Sequence, residues 1–520
     1  MIRTTLTAVF ALLLSITTAT AGTGRKGPGC WRSTPSRHKA TARMTVPQLI
    51  ETDELSIFRG TKRGLVILAE TTDTKFRSTN HRDKYDDIMN ASGYKTSEGF
   101  RGSVADYFRD QSGGLFELQF DVVGPYTAAH NMSYYGSNDK EGNDERAHEL
   151  IIEMCKAANA DVNFANYDWD GDGEAEEVFV VYAGRSESDT NNENLIWPHM
   201  WSLEDAESPL ELDGIRINVY ACSNELTGEG KIEGIGTFCH EFSHCMGFPD
   251  FYDITYDGLF GMGDFDLMSG GCYGGNGFCP VSYTAYEKMV CGWTKPIVLG
   301  SEDVVVDSLQ PISLGGDTYI LYNDAHPDEY YMIENRQKTG WDSYYPAKGL
   351  LITHVDYDGE VWFNNIPNSI LSNREARDMG LTAGNDHQRM TLFHADNNDD
   401  QKYWNPEWGS YSNTTTSTDL YPYRGNDSLT TTSMPAATLF HKNSEGTKLM
   451  QGAILDICQN SDKSMSFRYR ANKPVADAIR ETPATTLPHY VYTLDGRVAG
   501  TSLKALPHGI YIIDGKKVVR

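Results

Sequence analysis

Residues 239–253 read CHEFSHCMGFPDFYD. His240 and His244 stand four apart, so on a helix both imidazoles project from one face and can meet at one ion. Neutral imidazole is a good zinc ligand, and a catalytic zinc site keeps its fourth position open for water. Glu241, beside the first histidine, is placed to take a proton from that water and return it to a leaving amine. On an ordinary surface helix the same pair would be solvated histidines without a role. The residues after His244 separate the two readings. Gly247 can adopt the positive φ that ends a helix abruptly and turns the chain back, and Asp250 then supplies a carboxylate suited to zinc.

The full pattern, H-E-x-x-H-x-x-G-x-x-D, resembles the extended metzincin motif with aspartate where the third histidine stands. A competing arrangement takes a glutamate from a following helix, but no Glu occurs between Glu241 and Glu287. Asp253 and Asp264 stay open as substitute ligands, and Asp250 as a plain turn residue after Pro249. Met268, in GDFDLMSGGCYGG, fits a tight turn that floors the metal; a methionine is otherwise core filler. Tyr273 offers either an oxyanion donor or a packed ring.

A second constellation is DWDGDGEAEEV, in which Asp168, Asp170 and Asp172 alternate and Gly173 falls at the sixth position of a calcium loop. The twelfth position is Phe179, so this is no regular EF-hand, and Glu176 or Glu177 would have to stand in. A solvated acidic turn is the alternative. The run DNNDD at 396–400 reads as a polar loop.

The chain has 520 residues and a net charge of -27, which is wrong for a nucleic-acid partner, since phosphate binding needs a basic surface. Arg3, the apolar run at 8–16 and Ala19-Thr20-Ala21 make a secretory signal peptide over 1–21. No later stretch approaches the length of a membrane span. Export permits disulfides, yet the nine cysteines leave at least one without an internal partner.

Residues 22–62 read as a leader or pro-segment. A catalytic domain of α/β type is expected over 63–298, with strands at 64–70 and 177–183 and helices beginning at Ser103 and covering 145–159, 232–246 and 283–290. From Pro296 the runs DTYILYN, EYYMIENR and GLLITHVDYD have the texture of a β-sandwich, expected over 299–471. A Pro/Ala/Thr-rich linker at 472–488 leads to a tail at 489–520 with two hairpin signals, Asp495-Gly496 and Asp514-Gly515. The expected fold is thus an α+β zinc protease domain, a sandwich-like all-β domain and a small β tail.

The chain resembles the immune inhibitor A-like family of secreted bacterial metalloproteases from about residue 64 to 360. The resemblance is carried by RGLVILAE, SVADYFRDQSGGLFELQFDVVGPY, YDWDGDGEAEEVFVVYAG, IWPHMW, the zinc motif, DFDLMSGG and IENRQKTGWDSYYPAKGLLITHVD, in the family's order. It implies a zinc-dependent endopeptidase acting on protein or peptide substrates, with a metzincin-like catalytic domain. The last segment, with GIYIIDGKKVV, resembles a type IX sorting segment and implies that export machinery as a partner. Cys30, the one leader cysteine, could place a thiolate on the open zinc position and hold a zymogen latent; an unpaired or disulfide-linked leader cysteine is the alternative. A rival reading from another class is an inert, calcium-stabilised adhesin on a protease scaffold, against which the intact Glu241 counts.

Overall fold

The computed structural model describes residues 57–140, 142–399, 402–405, 410–413, 417–472, 491–494, 497–500, 502–507, 510–513 and 516–519. The signal peptide, residues 22–56 of the leader with Cys30, the 473–488 part of the linker and both Asp-Gly pairs lie outside them, while the end of the leader, from Gly60, already belongs to the first strand. Strand β1 (Gly60–Glu70) explains the first sheet. Its apolar run is buried without interruption, which a strand tolerates when helices cover both faces of a parallel sheet. Strands β2 (Phe116–Thr127) and β3 (Val178–Arg185) flank it in parallel. Strand β5 (Val219–Leu226) extends the sheet in parallel, and β4 (His199–Ser202) closes it as an antiparallel edge. The order is β2-β1-β3-β5-β4.

Side chains alternate across this sheet. Leu65, Ile67, Val178 and Val180 pack against helix α3 (Ala147–Ala158). Val66, Leu68, Phe179 and Val181 face the other way, into the core that holds helices α1 (His81–Asn90), α2 (Val104–Gln111) and α4 (Gly236–Cys245). Ser103 caps α2 as expected, in a reciprocal box with Asp106. Helix α4 carries the H-E-x-x-H motif but starts later than the expected 232. Residues before it prolong the β5 hairpin, where Glu233 N–H donates to Glu225. At Gly236 a Cβ would lie 1.9 Å from the Cys272 carbonyl, so the entry to α4 is a close backbone crossing that only glycine allows.

Beyond helix α5 (Ala285–Val290), five strands form a second sheet: β6 (Ile297–Val298), β8 (Tyr319–Tyr322), β9 (Glu329–Arg336), β10 (Gly349–Asp356) and β11 (Met390–Leu392). A third sheet joins β7 (Val304–Leu309), β12 (Ala453–Gln459) and β13 (Met465–Arg470). Tyr331, Ile333, Leu350 and Ile352 meet Met465 and Phe467 of the third sheet. Tyr330, Met332, Leu351 and Val355, on the opposite face, belong to the same core as α4. The second sheet is therefore buried on both sides, which is why β9 and β10 are buried along their whole length. The region is mixed rather than all-β: helices at Gly359–Phe363 and Asn373–Asp378 interrupt it, and one core runs from Phe58 to Leu420. Asn472 to Arg520 forms a separate unit, whose described strands build a four-stranded antiparallel sheet. Among the described residues no helix is long and apolar enough to cross a membrane.

Candidate metal centre and active site

Helix α4 presents His240 and His244 on one face, and Gly247, at φ 97°, turns the chain so that Asp250 returns to them. The three side chains are buried. Their facing atoms form a triangle: His240 Nε2 lies 3.2 Å from His244 Nε2, and each lies 3.2 Å from Asp250 Oδ1. His240 Nδ1 donates to the Leu267 carbonyl at 2.9 Å and His244 Nδ1 to that of Phe248 at 2.7 Å. A ring nitrogen facing a carbonyl carries the proton, so in the neutral rings both Nε2 atoms present lone pairs. Three acceptors then converge, and Asp250 Oδ1 has no donor. A cation satisfies such a set. Tetrahedral ligands about 2.0 Å from zinc stand about 3.3 Å apart, so the triangle fits that ion.

The electrostatics agree. Burial works against ionising Asp250, yet the two imidazoles facing it outweigh that cost and hold its carboxyl well below the usual range. Burial likewise opposes a charge on His240, but the Asp250 carboxylate and the Cys272 thiol draw its pKa well above that of ordinary imidazole. The pocket attracts positive charge in either form.

Glu241 is buried beside these three side chains with Oε2 unpartnered. Burial raises its pKa against the pull of the two histidines, and the Met200 N–H of edge strand β4 reaches its carboxylate. Met268 is fully buried in a turn whose backbone supports the site on two sides. Leu267 offers the carbonyl that fixes His240, and the Met268 carbonyl accepts from Phe251 N–H at 2.7 Å, next to Asp250. Tyr273 is half-buried against the core.

Neither substitute ligand is at the triangle. Asp253 spends both carboxylate oxygens on its own turn, accepting from Thr255 N at 3.0 Å and Asp257 N at 2.9 Å. Asp264 lies against Gly270, and burial pushes its carboxyl up to about 6. One partner of the site was not foreseen from sequence. Asn365, from the turn after Gly359–Phe363, donates Nδ2–H to Asp250 Oδ2 at 2.7 Å and accepts the Asp250 N–H at 2.6 Å.

In the acidic loop the converging carboxylates are those of Asp168, Asp170 and Glu176. Asp172 instead accepts the Glu174 N–H at 2.9 Å. Glu176 is held up at about 7, by burial first and then by the charges of Asp168 and Asp172. Glu177 turns into the core with both oxygens unpartnered. The described cysteines are all free, and only Cys458 is exposed. A further group, His394, Asp396 and Asp419, draws one member, Asp396, from the run read as a polar loop.

Residues 59–294 match the family described as immune inhibitor A peptidase M6, catalytic domain. Immune inhibitor A of Bacillus thuringiensis subsp. alesti is 25% identical over 214 residues, 35% of this chain and 30% of that protein. Pre-pro-metalloprotease PrtV of Vibrio cholerae serotype O1 (strain M66-2) is 26% identical over 217 residues, 36% of this chain and 23% of that protein. The chain thus spans under a third of the length of these relatives.

Proposed function

Starting from a peptidase M6 domain of the immune inhibitor A family, we propose that the chain is a secreted zinc-dependent endopeptidase acting on extracellular proteins. The observation that carries this reading is the buried triangle of His240, His244 and Asp250 acceptors, each pair 3.2 Å apart, with Glu241 beside it. Zinc bound there would polarise the scissile carbonyl and acidify a water. Glu241 takes the proton from that water and passes it to the amide nitrogen that leaves. The outer edge of β4 faces the site through Met200, and an extended peptide can add to such an edge by backbone hydrogen bonds. Met268 and Leu267 hold the ligand geometry from below.

The full chain should hydrolyse casein, lose that activity to a zinc chelator and regain it on adding zinc. An adhesin on an inert scaffold predicts no hydrolysis under any of these conditions. Activity that survives complete zinc removal would overturn the zinc reading while leaving a protease.

The convergence of Asp168, Asp170 and Glu176 supports calcium as a stabilising ion. Millimolar calcium should raise the thermal midpoint of the wild type and leave that of Asp170→Ala unmoved; equal shifts in both would exclude this loop. Export rests on the N-terminal signal pattern, and the four-stranded tail is the segment we assign to a type IX-like route.

A further inference from the structure

We propose that Asn365 is a positioning residue for the metal, reserving one oxygen of Asp250 for the ion by holding the other. The residue lies beyond the segment that matches the peptidase family. The β-rich region therefore completes the metal centre, given that His240, His244 and Asp250 are the zinc ligands proposed for this chain.

Asp250 has two oxygens in a fully buried setting, and only Oδ1 faces the imidazoles. An unrestrained carboxylate could rotate and offer either oxygen, or both. Asn365 removes that freedom at two points. Its Nδ2–H is bonded to Oδ2 at 2.7 Å, and its Oδ1 takes the Asp250 backbone N–H at 2.6 Å. One carboxamide thus ties the side chain of Asp250 to its own backbone. Among the standard side chains of this length, only asparagine supplies both donor and acceptor: aspartate lacks the donor and leucine lacks both. The donor is also neutral. A lysine or arginine there would compensate the carboxylate charge that the metal needs.

The setting is built for the purpose. Asn365 adopts φ 58°, a left-handed conformation that asparagine tolerates better than most residues. Its neighbours grip the same loop. Asn368 Nδ2–H donates to the Phe251 carbonyl at 2.9 Å and to that of Met390 at 2.6 Å, and Ser369 Oγ accepts the Ile254 N–H at 2.8 Å. Asn365, Asn368 and Ser369 are all buried. A partner bonded directly to a ligand's carboxylate, as Asn365 is, orients that ligand, and losing it typically lowers metal affinity or activity by about 10- to 100-fold.

The test is zinc affinity of the full chain, measured by competition with a chromophoric chelator, beside the thermal midpoint of the zinc-free protein and the rate on casein. Asn365→Gly keeps the left-handed backbone and deletes the amide. It should weaken zinc binding by about 10- to 100-fold. Asn368→Ala, which removes bonds to the same loop without touching the carboxylate, should leave zinc affinity near the wild-type value even where its thermal midpoint falls. If Asn365→Gly does not fold, Asn365→Leu carries the same expectation, because it keeps the volume and lacks both the donor and the acceptor. Wild-type zinc affinity in the Asn365 variants would overturn the positioning role alone, as would an equal loss in Asn368→Ala. A wild-type chain that takes up no zinc would overturn the metal centre, and the role with it.

Discussion

Glu241→Gln is expected to retain one zinc per chain and to lose on the order of 100- to 10,000-fold in kcat on casein, with KM little changed. Glutamine has the same shape, so the buried packing around position 241 survives. What disappears is the capacity to accept a proton near neutral pH. Glu241 is suited to that task by its surroundings: burial raises its pKa, and Oε2 has no partner that would have to be displaced. Zinc content by metal analysis separates this outcome from a variant that has merely lost the ion. A Glu241→Gln protein that holds zinc and cleaves at the wild-type rate would remove Glu241 from the chemistry.

The candidate metal ligands were legible because they are local. His240, His244, Gly247 and Asp250 fall within one helix and one turn, and each constraint is visible in the spacing: one helical face, a positive φ, a carboxylate after it. Asn365 could not be found that way. It lies 115 positions from Asp250, and NNIPNS carries no pattern beyond polarity. In the acidic loop the alternating aspartates suggested Asp172, whose side chain caps its own turn, while Glu176, one of the two stand-ins already named, joins Asp168 and Asp170. The second sheet is a different kind of miss. Runs such as DTYILYN and GLLITHVDYD are apolar on consecutive positions, and that continuity signals burial on both faces. A sandwich strand would alternate. The unbroken runs were therefore already a sign that this sheet packs against the core around α4 as well as against its own partner sheet.

Arg336→Met should be among the most damaging single changes away from the metal, costing about 3–5 kcal/mol of stability. Arg336 is fully buried. It donates from Nε to Glu334 at 2.5 Å and from Nη1 to Asp342 at 3.2 Å, and its guanidinium lies over the Tyr345 ring. Methionine fills similar space but strips two buried carboxylates of the cation bonded to them. The damage would spread toward helix α4, because the same guanidinium also holds the Ser282 and Tyr283 carbonyls at 3.0 Å each. Glu334 in turn binds the Ala285 N–H that opens α5, and the Tyr283 hydroxyl contacts Ser243 on α4. A continuous polar chain thus runs from β9 to the helix that carries His240 and His244. Replacing all three charges together, as Arg336→Met with Glu334→Gln and Asp342→Asn, should restore a large part of the loss, since neutral amides need no countercharge. Urea denaturation of the single and triple variants checks both expectations. A single variant as stable as wild type, or a triple variant no better than the single, would show that charge compensation is not what Arg336 contributes.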